Sequence, residues 1–168
     1  MGAQADFPLP LEAAVGVSYR PTPDWNIEVD AEYADWAALN TVTIQQPYGV
    51  QSPNGIAPLV PQNFPEAFNL QSTWDIELGA TRYLTNGWSA SAGFVYSEGS
   101  SSKSNLSPFV ADLDRYFVSL GFGQKGKRFD FDVAYQAGFS ADTWITQSAA
   151  GKWGFFSQAI MVSVGVHF

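Results

Sequence analysis

From Trp74 to Tyr96 the chain alternates apolar and polar residues with a period of two. Trp74, Ile76, Leu78 and Ala80 are separated by Asp75, Glu77, Gly79 and Thr81. Further on, Trp88, Ala90, Ala92, Phe94 and Tyr96 are separated by Ser89, Ser91, Gly93 and Val95. Successive side chains on a strand point to opposite faces, so each run predicts a strand with one apolar face and one small or polar face. Asn86-Gly87 lies between the runs and suits the positive φ angles of a type I′ turn, which predicts a long hairpin. Each arm has roughly the 9–11 residues that a tilted strand needs to cross a bilayer. Aromatics stand near the ends of the apolar faces, where membrane interfaces place them.

The same alternation recurs along the chain. Leu11–Tyr19 sets Leu11, Ala13, Val15, Val17 and Tyr19 against Glu12, Ala14, Gly16 and Ser18. Trp25 to about Tyr33, with an extension toward Leu39, sets Trp25, Ile27, Val29, Ala31 and Tyr33 against Asn26, Glu28, Asp30 and Glu32. Its parity breaks at Asp35-Trp36, which predicts a bulge or the strand's exit from the membrane. Further strands are predicted at Asp114–Gly123, Arg128–Phe139 and Phe156–Phe168, with Gln158 the one polar exception on the last apolar face. Arg20–Asp24, Asn86-Gly87 and Gln124–Lys127 read as short turns. Residues 45–68, 98–112 and 140–154 read as long loops, and the first of these holds five prolines, so it cannot be a central strand. Residues 1–8 read as a disordered or loop lead-in. Short turns on one edge, long loops on the other and dyad alternation are the pattern of an outer-membrane barrel. The expected fold is all-β: a single domain over residues 1–168, an antiparallel transmembrane meander of about seven strands.

Composition agrees. The chain is 15% aromatic, yet its mean hydropathy is −0.07, as expected when apolar and polar faces average out. No run of about 18 apolar residues exists, which excludes a transmembrane helix. The net charge of −8 argues against nucleic acid as a partner. There is no cysteine, so no disulfide is needed. Met-Gly-Ala-Gln-Ala-Asp at the start lacks the basic and apolar regions of a signal peptide. A soluble antiparallel sandwich is the competing fold. It would have to serve both alternating faces with one core.

With the strands placed, the sequence resembles the C-terminal half of the FadL/TodX family of outer-membrane channels for long-chain fatty acids and aromatic hydrocarbons. The resemblance rests on Leu9–Thr22 (LPLEAAVGVSYRPT), Trp25–Trp36 (WNIEVDAEYADW), Thr73–Ala80 (TWDIELGA), Asp114–Gly123 (DRYFVSLGFG), Phe131–Tyr135 (FDVAY) and Val162–Phe168 (VSVGVHF). The terminal Phe168 is similar to the signal that outer-membrane assembly reads. The family implies a barrel of fourteen strands with an N-terminal hatch, of which this chain would supply half the strands and no hatch. Where the family pattern tends to read x-Tyr-Arg, this chain reads Thr81-Arg82-Tyr83, and strict alternation puts Arg82 on the lipid face. That is tolerable at the periplasmic end or at a local bulge. An up-down meander of seven strands cannot close on itself antiparallel, because its first and last strands run the same way. An open edge in lipid leaves backbone groups unpaired at several kcal/mol each. The chain is therefore expected to need a missing N-terminal half or a second copy, besides outer-membrane lipid and a hydrophobic small-molecule ligand.

By parity Glu12, Glu28, Asp30, Glu32, Asp75, Glu77, Asp130 and Asp132 face the lumen, with Arg20, Arg115 and Arg128 as counter-charges. The plain reading is the wall of a water-filled lumen. A cation site from Glu28, Asp30 and Glu32 is the sharper alternative, since hard cations take carboxylates. Tyr48, Ile56, Leu59, Val60 and Phe64 in the first long loop, with the inward-facing Phe117 and Phe155, are the candidates for contact with an apolar ligand. Gly121-x-Gly123-x-x-Gly126 matches a dinucleotide fingerprint by letter but leads into a strand, so the helix that would hold a pyrophosphate is missing. No nucleophile elbow, Ser/His/Asp set or metal-ligand spacing appears, so no enzyme and no cofactor is expected. The function that the resemblance implies is passive outer-membrane transport of hydrophobic small molecules, long-chain fatty acids or hydrocarbons. The alternative is a structural barrel piece without transport of its own.

Overall fold

The computed structural model describes residues 4–45, 50–51, 58–60, 63–101, 112–145 and 150–167, with 50–51 and 58–60 described by their backbone alone. Seven strands of 10 or 11 residues build the main sheet: β1 (Glu12–Thr22), β2 (Trp25–Ala34), β3 (Thr73–Tyr83), β4 (Trp88–Ser97), β5 (Arg115–Lys125), β6 (Phe129–Phe139) and β7 (Phe156–Val166). Each pairs antiparallel with its neighbours in sequence, a meander from β1 to β7 with both outer edges open. The alternation expected from the sequence is carried across the whole sheet by register. One row runs Tyr19, Ile27, Ala80, Ala92, Leu120, Tyr135, Ile160. The row one residue away, on the other face, runs Ser18, Glu28, Gly79, Gly93, Ser119, Gln136, Ala159.

This sheet has no core of its own. Among the described residues only Val42 and Ile145 are buried hydrophobics, and neither lies in the seven strands. Ile160 is 73% exposed, Val162 71% and Leu120 67%. A soluble sandwich would bury these against a second sheet. Here the apolar face is left bare, as a lipid-facing wall requires.

The turns follow the local chemistry. Asn86 and Gly87 take φ of 60° and 78°, and Leu84 N–H donates to the Trp88 carbonyl at 2.7 Å to close the hairpin. Pro21 cannot donate to a ladder, and the β1–β2 register slips between Tyr19 and Thr22, a bulge at the open edge. At Asp35-Trp36 the strand exits rather than bulges: β2 stops at Ala34 and Trp36–Ala38 form one 3-10 turn. Arg82 keeps regular register, opposite Trp25 and Ala90, so no bulge rescues it. It is on the apolar face at the short-turn end of β3, its guanidinium 5.6 Å from the centre of the Trp25 ring.

The long-loop edge carries more structure than the sequence suggested. Thr41–Gln45 pairs with Asn63–Ala67, and Gln4–Ala5, within the expected lead-in, pairs with Gln45 and Ile44. Pro65 is tolerated because Asn63–Ala67 is the outer strand of this small sheet. Thr143–Ile145 and Gly151–Trp153 form a short hairpin within the third long loop.

Position on the two faces predicts unequal tolerance to charge. Leu120→Arg, at the middle of β5 on the apolar face, should cost ~2–4 kcal/mol of folding stability in lipid. Gln136→Arg, one row away on the opposite face, should cost little. Urea unfolding followed by heat-modifiable gel migration checks the difference.

Candidate functional site

The polar face of the sheet is built from small residues with charges set among them. Gly121 and Gly123 leave room for the side chains of Ser91 and Asp132 on neighbouring strands. The letter match to a dinucleotide loop is thus a pair of lumen-face gaps and a turn glycine. Near the short-turn edge, Asp130 accepts from Gly126 N–H at 3.0 Å and meets His167 Nε2 at 2.7 Å.

Register places acids face to face in a way alternation alone did not indicate. Asp30 lies opposite Glu77, and Glu32 opposite Asp75. Directly opposed like charges destabilise a sheet. The expected counter-charges do not relieve them. Arg115 pairs with Asp112 at 2.8 Å. The Arg20 guanidinium donates to Asn26 Oδ1 at 3.3 Å and lies 5.5 Å from the Tyr83 ring centre. Arg128 lies 5.8 Å from the ring centre of Phe129, whose side chain belongs to the apolar face. Glu28 is held differently, accepting from Asn26 Nδ2 at 2.6 Å. The cation site considered for Glu28, Asp30 and Glu32 does not assemble: among the described residues no three such groups stand where they would share an ion. Glu12 lies opposite Ala34 on the same face, toward the long-loop edge.

Two of the expected ligand contacts are brought together at that edge. Phe117 projects from β5 on the polar face and packs edge-on against Phe155, with ring centroids 6.0 Å apart. Gly138 makes this possible, since a Cβ there would sit 2.5 Å from Phe117 Cε1. Phe155 is pinned by Ser140, whose Oγ accepts from Phe155 N–H at 2.7 Å and whose N–H donates to the Phe155 carbonyl at 3.0 Å. The Arg115 guanidinium lies 5.7 Å from the Phe155 ring centre. Beside it opens a recess of ≈ 360 Å³ lined by Trp36, Leu70, Thr73, Asp75, Asp112 and Arg115, among others. Trp36 and Leu70 were not anticipated; Trp36 stands at the parity break of Asp35-Trp36, and Leu70 follows Asn69, whose φ is 46°.

The remaining loop candidates divide. Phe64 lies opposite Ile44 in the small ladder and is 42% exposed. Leu59 and Val60 lie on a strand, Pro58–Val60, that pairs with Val50–Gln51. Tyr48, Ile56 and the terminal Phe168 lie outside the described residues.

A bare apolar face, a polar inner face, short turns on one edge and extended loops on the other define the wall of an outer-membrane β-barrel. The chain belongs to the outer membrane protein transport protein family (OMPP1/FadL/TodX), whose model matches residues 1–164. It is an outer-membrane protein. Among solved structures it is similar to a Pseudomonas aeruginosa FadL homologue, with a TM-score of 0.71 and 19% identity over 96% of this chain. The chain spans 35% of that protein's length. No curated protein matches the sequence.

The opposed acids predict a gain on neutralisation. Glu77→Gln should stabilise the folded wall by ~0.2–1 kcal/mol. The gain should shrink as salt screens the repulsion. Urea melts at low and high salt check both.

Proposed function

We propose that this chain forms part of the wall of a passive channel that carries hydrophobic small molecules, long-chain fatty acids or hydrocarbons, across the outer membrane. The reading is supported by membership in a transport family. The observation that carries it is the aromatic pair Phe117–Phe155, set at the long-loop end into an inner face built mostly of small and polar residues. An apolar solute arriving from the loops gains about 0.8 kcal/mol for each CH₂ it buries. The pair offers such a contact, and the glycine- and serine-rich wall beyond it offers little to hold the solute back. Net flux then follows the concentration gradient and needs no bond to be made or broken, so the proposal includes no catalysis.

The wall also sets a condition on whatever completes it. β1 and β7 run in the same direction, so an all-antiparallel closure requires an odd number of added strands. A second copy of this chain in the same orientation would meet both seams in parallel. A complementary segment with an odd number of strands satisfies both edges, and we take that as the partner.

Uptake of a radiolabelled long-chain fatty acid by cells that carry, in their outer membrane, the segment that completes the barrel, with or without this chain, tests the reading. The unaltered chain should raise uptake over cells without it. Replacing both Phe117 and Phe155 by Ala should slow it roughly twofold to tenfold, the scale of an aromatic contact of ~0.5–1.5 kcal/mol. Uptake no faster than in cells without the chain would leave a structural wall piece as the better account.

A further inference from the structure

The short-turn edge of the wall is chemically unlike the opposite edge. Arg20, Arg82, Lys125, Lys127 and Arg128, five of the eight basic residues, gather at its turns and strand ends. Aromatics accompany them on the apolar face. Trp88 stacks on Phe122 at 4.8 Å and meets Phe131 edge-on at 5.5 Å. Arg82 stands apart within this set. Its neighbours in register, Trp25 and Ala90, share the lipid-facing side of the sheet. Its charge is held over the Trp25 ring, and among the described residues no carboxylate reaches it within ion-pairing distance.

A recess of ≈ 560 Å³ opens at this point, lined by Asp24, Arg82, Tyr83, Leu84, Thr85 and Trp88. It therefore holds one cation and one anion that do not pair with each other. The Asp24 carbonyl is engaged, accepting from Tyr83 N–H at 2.7 Å. That contact fixes the turn beside β3 and leaves the Asp24 carboxylate as the recess's acidic group.

We propose that this recess binds the headgroup of a phospholipid of the periplasmic leaflet. Arg82 takes the phosphodiester and Asp24 takes a primary ammonium. Three observations point to that occupant. The recess lies at the end of the apolar face, where the acyl chains of a lipid would run up the bare wall beside Trp25 and Ile27. Arginine presents a planar fork of donors that matches phosphate oxygens. The opposite charges in one recess match a headgroup carrying both. The interaction also accounts for an arginine on the lipid face: the side chain reaches to the phosphate layer, and its charge is neutralised there rather than in hydrocarbon. The proposal rests on the lipid-facing side of the wall and not on transport.

The test uses outer membranes containing the chain, fused with trace phosphatidylethanolamine or phosphatidylglycerol that bears a diazirine at the glycerol end of one acyl chain. After irradiation the crosslinked peptides are mapped. The expected result is labelling within residues 82–88, stronger with the ethanolamine lipid. Arg82→Gln should lower labelling by both lipids about fivefold, the scale of one cation's attraction to a membrane surface, and Arg82→Lys should restore part of it. Asp24→Asn should remove the preference for the ethanolamine lipid. Trp25→Leu, which takes away the platform beneath the guanidinium, should weaken labelling even if Arg82→Gln failed to assemble. Lys127→Gln, at the same rim, should have little effect. The proposal is overturned if the unaltered chain is not labelled there, or if Arg82→Gln labels as the unaltered chain does. It is equally overturned if Lys127→Gln matches Arg82→Gln, if Asp24→Asn keeps the preference, or if added inorganic phosphate displaces the lipids.

Discussion

Hydrocarbon offers no partner for a backbone N–H or C=O, and it dissolves apolar side chains as readily as a protein core does. Those two properties account for nearly everything in this chain. Because lipid stands in for a core, the seven strands can leave Val29, Leu120 and Val164 uncovered. The only buried hydrophobics among the described residues are Val42 and Ile145, in the extensions beyond the wall, where water returns and side chains must pack on one another again. Because backbone groups must pair, every interior strand is hydrogen-bonded on both sides and the turns are as short as their chemistry permits. The same requirement makes the outer edges of β1 and β7 the places where the structure demands something further.

The two ends of the wall then divide the labour. At the long-loop end, small ladders carry the chain beyond the sheet. Phe117 and Phe155, with the nearby recess, put aromatic contact on the inner face at that mouth. At the short-turn end, basic residues and tryptophans meet the interface, and Arg82 is tolerable on the apolar face because β3 ends one residue later. Between them the inner face is kept open by glycines whose missing side chains make room for their neighbours. The acids Asp30, Glu32, Asp75 and Glu77 form a strip of repulsion that no described cation relieves. A wet lumen, which screens charge, can hold such a strip; a packed interior could not.

What could be read from the sequence was local. A period of two needs no partner to be visible, so the strands, their faces and the Asn86-Gly87 turn were all legible, as were the family's motifs. The opposition of Asp30 to Glu77 was not, because β2 and β3 are far apart in sequence and no short turn between them fixes their register. Neither was the meeting of Phe117 with Phe155, which depends on Gly138 of a third strand. Asn63–Ala67 was missed because five prolines argued against a central strand, and an outer strand with its proline at a tolerated position was the arrangement adopted; its partner Thr41–Gln45 was assigned to no element. Strict alternation placed Arg82 on the apolar face, and the register keeps it there, one residue from the strand's end and without a bulge.

The central claim is that one face of this sheet touches hydrocarbon and the other touches water. The chain has no cysteine, so single spin labels can be placed without background. Labels at Val29→Cys, Leu120→Cys and Val164→Cys, compared with Asp30→Cys, Ser119→Cys and Ser163→Cys, should divide cleanly in membranes. The first three should relax with dissolved oxygen and ignore a water-soluble nickel chelate, and the second three should do the reverse. Equal access of the nickel chelate to both sets would contradict the account.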